Sequence, residues 1–363
     1  MIKLFFSFIS LIHGLIHLLG FVKSFNLTQV SQLNQEISKP LGLLWLACFI
    51  LFFISIIIFL LNKDFWWLIS LLSILLSQAL IITFWQDAKF GTIANIIILI
   101  GVIIGYGNWN SNNIVKNELF EIKNHNISNK NIIKDESLSN LPPLVKKWLI
   151  NSKIIGQEEI LLVNLKQKGE MITEVNSKNW MKVTAEQTFN TYKPSFVWVA
   201  DVNAGFGIHL FGRDKYKNGK GHMLIKLFSL YPIVDSKSKE IDQGTMIRYL
   251  AEIIWFPSVA LNSYLQWEQI SDTKVKVTMN YYNNSVSGIY SFNENGDIIS
   301  FEAKRYFDRK DGATLENWFI NIDTNSYKDF QGIRIPTKSS VTWKLKEGDF
   351  TWYKLEIDDV KYN

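Results

Sequence analysis

The sequence predicts an N-terminal four-helix transmembrane bundle followed by an α+β domain, a large antiparallel sheet covered by a helix. Three observations carry this. Four long apolar stretches, roughly 2–22, 41–61, 66–85 and 92–107, occupy the first third of the 363 residues. From residue 157 the apolar period changes to two. Within that second half one stretch, DQGTMIRYLAEIIWF near 242–256, is strongly helical in period.

The apolar stretches come first. A spanning helix needs about 20 mostly apolar residues, and in lipid the backbone must satisfy its own hydrogen bonds. Residues 1–115 hold five lysines, no arginine and three acids of the chain's 38 basic and 33 acidic residues. Trp66, Trp67, Trp85 and Trp109 fall at the ends of stretches, where indoles favour the interface. No small-x-small cleavage site closes the first stretch, so it reads as a span and not a signal peptide. The expectation is a multi-pass protein of the cell membrane. A slight lysine excess favours cytoplasmic termini.

LIHGLIHLLGF, residues 11–21, places His13 and His17 four apart on one face of the first span. Polar residues in a bundle usually face its interior. Three readings compete: hydrogen bonding to Ser77, Gln78 or Asn95; a metal or haem site; and proton or ion movement, with Asp87 as the nearby acid. The single cysteine, Cys48, allows no internal disulfide and no CxxC site, and no metal or cofactor is expected.

Residues 1–110 form the membrane domain in this reading. Residues 111–140, rich in Asn, Lys and Ser, form a linker or frayed helix, and 141–363 the β domain. LPPLVKKWLI opens a short helix. About ten strands follow, from EILLVNLKQKGEMI to VTWKLKEGDFTWYKLEID, with Asn218-Gly219 and Asn295-Gly296 as hairpin turns. Alternation leaves one wet and one apolar face. The helix near 242–256 covers the apolar one through Met246, Tyr249, Leu250, Ile253 and Ile254, with Asp242 as its cap.

Mixed charge in the second half shows no basic stripe, so nucleic acid is not a partner. HExxH, GxSxG, the P-loop and a GxGxxG before a helix are all missing, so no catalytic residue is assigned. The Gly-rich GFGIHLFGRDKYKNGKG reads as strand and hairpin; His209 and His222 lie on neighbouring strands and could meet Asp201 or Asp214. The best polar set is Glu186, Arg248, Glu252 and Arg305. The aromatic side chains Trp180, Phe196, Trp198, Phe228, Tyr249, Trp255, Trp318 and Trp343 suit an acyl chain. The candidate ligand site is therefore Trp198, Arg248, Tyr249, Glu252, Trp255, Glu186 and Arg305. The favoured function is a membrane-anchored domain that binds or shuttles an apolar ligand, with membrane lipid, a free apolar ligand or a lipoprotein as partners. The alternatives are an enzyme using Glu186, Arg248 and Glu252, and a membrane scaffold for a partner protein.

VTAEQTF (183–189), SFVWVADV (195–202), residues 242–257 and GIRIPTKSSVTW (332–343) together resemble the bacterial DUF6544 family, whose function is uncharacterised. The resemblance covers about 141–363. YKDFQGIRIPTKSSVTWKL is also similar to a strand-turn-strand of LolA-like lipoprotein carriers. That similarity implies a curved half-barrel with an apolar concavity plugged by helices, placed outside the cytoplasm.

Overall fold

A computed structural model describes residues 2–124, 131–175 and 177–363. The centre of the expected linker, 125–130, lies outside the described residues. The chain divides into two compact units, 1–113 with 228–230, and 114–227 with 231–363.

In the first unit, α1 (Ile2–Ser24), α2 (Lys39–Leu60), α3 (Trp66–Thr83) and α5 (Gly91–Lys123) are long and apolar enough to cross a membrane, which agrees with membrane association. A four-residue helix, α4 (Trp85–Ala88), links the last two. Close helix approach follows from small residues at the contacts. A Cβ at Gly20 would sit 2.2 Å from the Trp45 ring, so α1 lies on α2 only because position 20 lacks one.

α5 runs to Lys123, through residues that read as tether by composition. Weak propensity is overridden there by tertiary contact. Ile122 is buried and its carbonyl accepts from Asn190 Nδ2 at 2.8 Å, while Glu118 meets Arg213 at 3.3 Å.

The second unit continues with α6 (Pro143–Asn151) and then β1 (Leu162–Met171), β2 (Met181–Asn190), β3 (Ser195–Asn203), β4 (His209–Lys217), β5 (Lys220–Leu227) and β6 (Tyr231–Ser236). After α7 (Lys239–Glu252) come β7 (Leu265–Gln269), β8 (Lys274–Tyr281), β9 (Asn284–Phe292), β10 (Ile298–Phe307) and β11 (Thr314–Ile322). The chain closes with β12 (Tyr327–Phe330), β13 (Ile333–Pro336), β14 (Lys338–Leu345) and β15 (Gly348–Tyr362). Thirteen strands make one antiparallel sheet, ordered β6-β5-β4-β3-β2-β1-β15-β14-β11-β10-β9-β8-β7, and β12-β13 form a separate hairpin. Strand twist of some 20° per step cannot leave so many strands flat. The sheet curls into a half-barrel around α7, which lies against β4, β5, β9 and β10. The β4–β5 and β8–β9 tips meet, Asn284 Nδ2 donating to Gly219 O at 2.8 Å. Asn218 and Gly219 both have positive φ, as that hairpin turn requires.

The covering helix differs from expectation in three ways. It ends at Glu252, and Ile253–Trp255 follow as a 3-10 turn. It begins at Lys239, with Ser238 Oγ accepting from Ile241 N–H, so Asp242 is not its cap. Asp242 instead accepts from Gly221 N–H at 2.7 Å and Lys220 Nζ at 2.8 Å. And α7 has no broad wet face: Asp242, Thr245, Met246, Ile247, Tyr249, Leu250 and Glu252 are all buried. A helix enclosed on nearly every side must satisfy its polar groups internally, and those groups define the site below.

Candidate functional site

The polar residues expected within the apolar helices separate into two sets. His13 Nε2 lies 2.9 Å from Asn95 Oδ1 and 3.0 Å from Ser77 Oγ. Asn95 Nδ2 donates to Ser77 Oγ and Gln78 Oε1, each at 3.0 Å, and Gln78 Nε2 donates to Thr92 Oγ1 at 3.2 Å. His17 Nδ1 lies 2.9 Å from His13 O, which makes that nitrogen the protonated one. This network joins α1, α3 and α5. Asp87 lies apart from it. Its carboxylate accepts from the backbone N–H groups of Asn34 (2.7 Å) and Gln35 (2.9 Å), which fixes the first loop and pulls the Asp87 carboxyl below its ordinary value. Among the described residues no group of three His, Cys, Asp or Glu could hold a metal ion.

In the second unit the chemistry follows one stripe of α7, Gly244, Arg248 and Glu252, spaced four apart. Arg248 Nε donates to Glu252 Oε1 at 2.8 Å and Nη1 to Asp214 Oδ2 at 2.7 Å. Its guanidinium stacks 4.8 Å from the Trp198 ring and 5.2 Å from Phe196. The chain of bonds continues across the sheet. Gln187 Nε2 donates to Glu252 Oε2 (2.8 Å), Gln167 Nε2 to Gln187 Oε1 (3.2 Å) and Trp198 Nε1 to Gln167 Oε1 (3.0 Å). Burial pushes the Glu252 carboxyl up, against the opposing pull of Arg248. Burial also pulls Arg248 down, but Glu252 and Asp214 outweigh it and hold the guanidinium charged.

Arg305 enters from β10 beside the same stripe; a Cβ at Gly244 would lie 3.0 Å from its Nε. Its guanidinium stacks 4.9 Å from the Trp318 ring and 5.8 Å from Trp343. Burial and the neighbouring Arg248 lower it to about 10, so it stays charged at neutral pH.

The remaining expected residues lie elsewhere. Tyr249 is fully buried and bonds to Tyr264 OH (3.2 Å) and Asn190 O (3.4 Å), away from the Arg248 chain. The buried Trp255 offers its carbonyl to Tyr362 OH at 2.7 Å. Glu186 does not join the set: it is exposed and faces Lys166 at 3.6 Å. Position 186 alternates with Ala185 and Gln187, which point inward, so its side chain leaves by the other face. His209 pairs with Asp201 at 2.8 Å and His222 with Asp235 at 2.7 Å, while Asp214 serves Arg248. Sequence reasoning missed Gln167 and Gln187, whose signal was phase. Both fall in register with buried apolar residues of their strands, Val163 and Leu165 on β1, Val183 and Phe189 on β2.

A second feature adjoins the stripe. The β9–β10 ladder holds only four residue pairs and ends at Ile289 and Glu302, whereas β8–β9 and β10–β11 hold eight each. Beyond that point β9 and β10 part around a cavity of about 500 Å³. Ile247, Val286, Gly288 and Ala303 line it, with Lys276, Glu302, Lys304 and Asn317 among its polar residues. Gln243 of α7 also lines it and donates to the Lys304 carbonyl at 3.1 Å.

Fold and site together define a class: a half-barrel domain with a buried polar chain along its central helix, in a chain with four apolar helices long enough to span a membrane. The chain belongs to a family of unknown function, DUF6920, whose model matches residues 139–362. No curated protein matches the chain. The motifs quoted from the sequence therefore mark DUF6920 and not DUF6544, and the family match lends no support to a likeness to lipoprotein carriers. Short alternating stretches such as SFVWVADV recur wherever a strand is half-buried, so they discriminate poorly between β families.

Proposed function

We propose that this protein is a membrane-anchored binding domain for an apolar ligand, held where β9 and β10 part beside α7. The cavity there carries the reading. Its volume of about 500 Å³ falls within the range of roughly 300–1,000 Å³ common to small-molecule sites. Most of its surface is apolar, with Ile247, Val286 and Ala303 in the lining, although seven of its twelve lining residues, Lys276, Glu302 and Lys304 among them, are polar. Four apolar helices in the same chain hold such a site near lipid, raising the effective concentration of a membrane-derived ligand.

Native mass spectrometry of the full chain, released from its membrane in mild detergent, tests this. Wild-type protein is expected to carry a small apolar adduct, and Ala303→Phe, which fills the cavity, to lose it without a lower melting temperature. An adduct equally abundant in both proteins, or absent from both after gentle release, contradicts the reading.

A further inference from the structure

The interior charge balance is uneven, and this deepens the proposed reading, on which it rests. Two carboxylates, Asp214 of β4 and Glu252 of α7, are spent on Arg248, and the buried Asp242 of α7 is spent on Lys220. Arg305 has no carboxylate of its own among the described residues. The acid directly across the ladder from it, Glu316, lies 3.2 Å from Arg309 Nη2 and accepts from Thr314 Oγ1 at 2.9 Å. Arg305 nonetheless lies over the Trp318 and Trp343 rings, in cation–π contact with both, and its N–H groups are its unused chemistry.

The surrounding groups share that bias. Trp318 Nε1 and Tyr353 OH are buried with no hydrogen-bond partner among the described residues. Both sit on the inward face, in register with Trp343 and Val341 of β14. Each can donate, and an indole N–H can do nothing else. Against them, α7 offers one buried acceptor without a partner among the described residues, Gln243 Oε1, so donors are in excess, as at a site for an anion. Ala303 lines the cavity and Arg305 does not, but the two are two apart on β10 and face the same way, about 7 Å along the chain.

We infer that the ligand is an amphipathic anion, its alkyl part against Ile247, Val286 and Ala303 and its carboxylate or phosphate head on the guanidinium of Arg305. Cation–π contact with two indoles restrains the guanidinium before the ligand arrives, so less ordering entropy is lost on binding.

The test is calorimetric titration of the full chain in a neutral detergent with three probes: octanoate, 1-octanol and inorganic phosphate. Wild-type protein is expected to bind octanoate at least tenfold more tightly than 1-octanol. Arg305→Gln is expected to abolish that preference while leaving 1-octanol unchanged. Arg305→Lys, which keeps the charge but not the fork, is expected to weaken octanoate several-fold, and it serves if the Gln variant does not fold. Equal binding of octanoate and 1-octanol, or wild-type octanoate affinity in both variants, overturns the anion site and leaves the apolar reading standing. Phosphate binding as tight as octanoate, with 1-octanol silent, keeps the anion site and removes the apolar reading. If no probe binds, both fall.

Discussion

Replacing Arg248 by Met tests whether the buried chain along α7 is electrostatic in origin. The substitution keeps the aliphatic bulk against Trp198 and Phe196 but leaves Asp214 and Glu252 facing each other with no cation between them. The three side chains are 13%, 18% and 8% exposed, so solvent screens little of the loss. Breaking a buried pair by removing one partner costs about 3–5 kcal/mol. Part of that cost is avoidable if Glu252 takes up a proton. Its carboxyl is already raised by burial, and losing Arg248 raises it further. An acid whose folded-state value lies above its unfolded one holds more protons when folded, so stability falls as pH rises through that window. The variant is therefore expected to lose more stability at pH 8 than at pH 5. The assay is denaturant unfolding of the full chain in detergent, followed by tryptophan fluorescence at both pH values. Removing the stranded charges as well, in Asp214→Asn/Arg248→Met/Glu252→Gln, is expected to recover at least half of the loss. A cost below about 1 kcal/mol at pH 8, the size of an exposed pair, would refute the reasoning, as would a loss that does not change with pH.

Two further outcomes follow from packing and from histidine titration. A Cβ at Gly221 would lie 2.4 Å from Thr245 Oγ1 and 2.6 Å from the Ile241 carbonyl, so Gly221→Ala is expected to lift α7 off β5 at a cost of about 1–3 kcal/mol; an unchanged melting temperature contradicts this. His222 Nδ1 accepts from Arg213 Nη2 at 2.9 Å and Nε2 donates to Asp235 at 2.7 Å, an arrangement only the neutral ring can make. Burial holds the imidazole below its ordinary value, so the unfolded chain binds the proton first. The stability from this group is complete above about pH 6.5 and is lost as pH falls below it. His222→Asn is expected to flatten that part of the pH profile, and a profile identical to wild type contradicts the assignment.

The four long apolar helices were legible because runs of that length and hydropathy leave few alternatives to helix. Most strands were legible through their period, although about ten were expected and fifteen form among the described residues, and the burial of α7 was legible through Met246, Tyr249 and Leu250. What was hidden was tertiary. Asp242 looks like a helix cap until β5 brings Gly221 N–H to it, and Ser238 then takes the role. Arg248 and Asp214 are 34 positions apart, and only the fold of β4 against α7 joins them. Glu186 was misplaced for a readable reason: it is out of phase with Val183, Ala185 and Phe189, while Gln187 is in phase. The parting of β9 from β10 leaves one trace in the sequence, Gly288 inside β9, where an isolated glycine weakens a strand.

The central claim is that a ligand's alkyl part lies between β9 and β10 while its acid head meets Arg305. A crystal structure of the full chain with ω-bromooctanoate locates both ends, the bromine by its anomalous signal. The account predicts bromine against Ile247 and Val286 and the carboxylate within hydrogen-bond distance of Arg305. Bromine found only among the apolar helices, or β9 and β10 zipped into a continuous ladder, would contradict it.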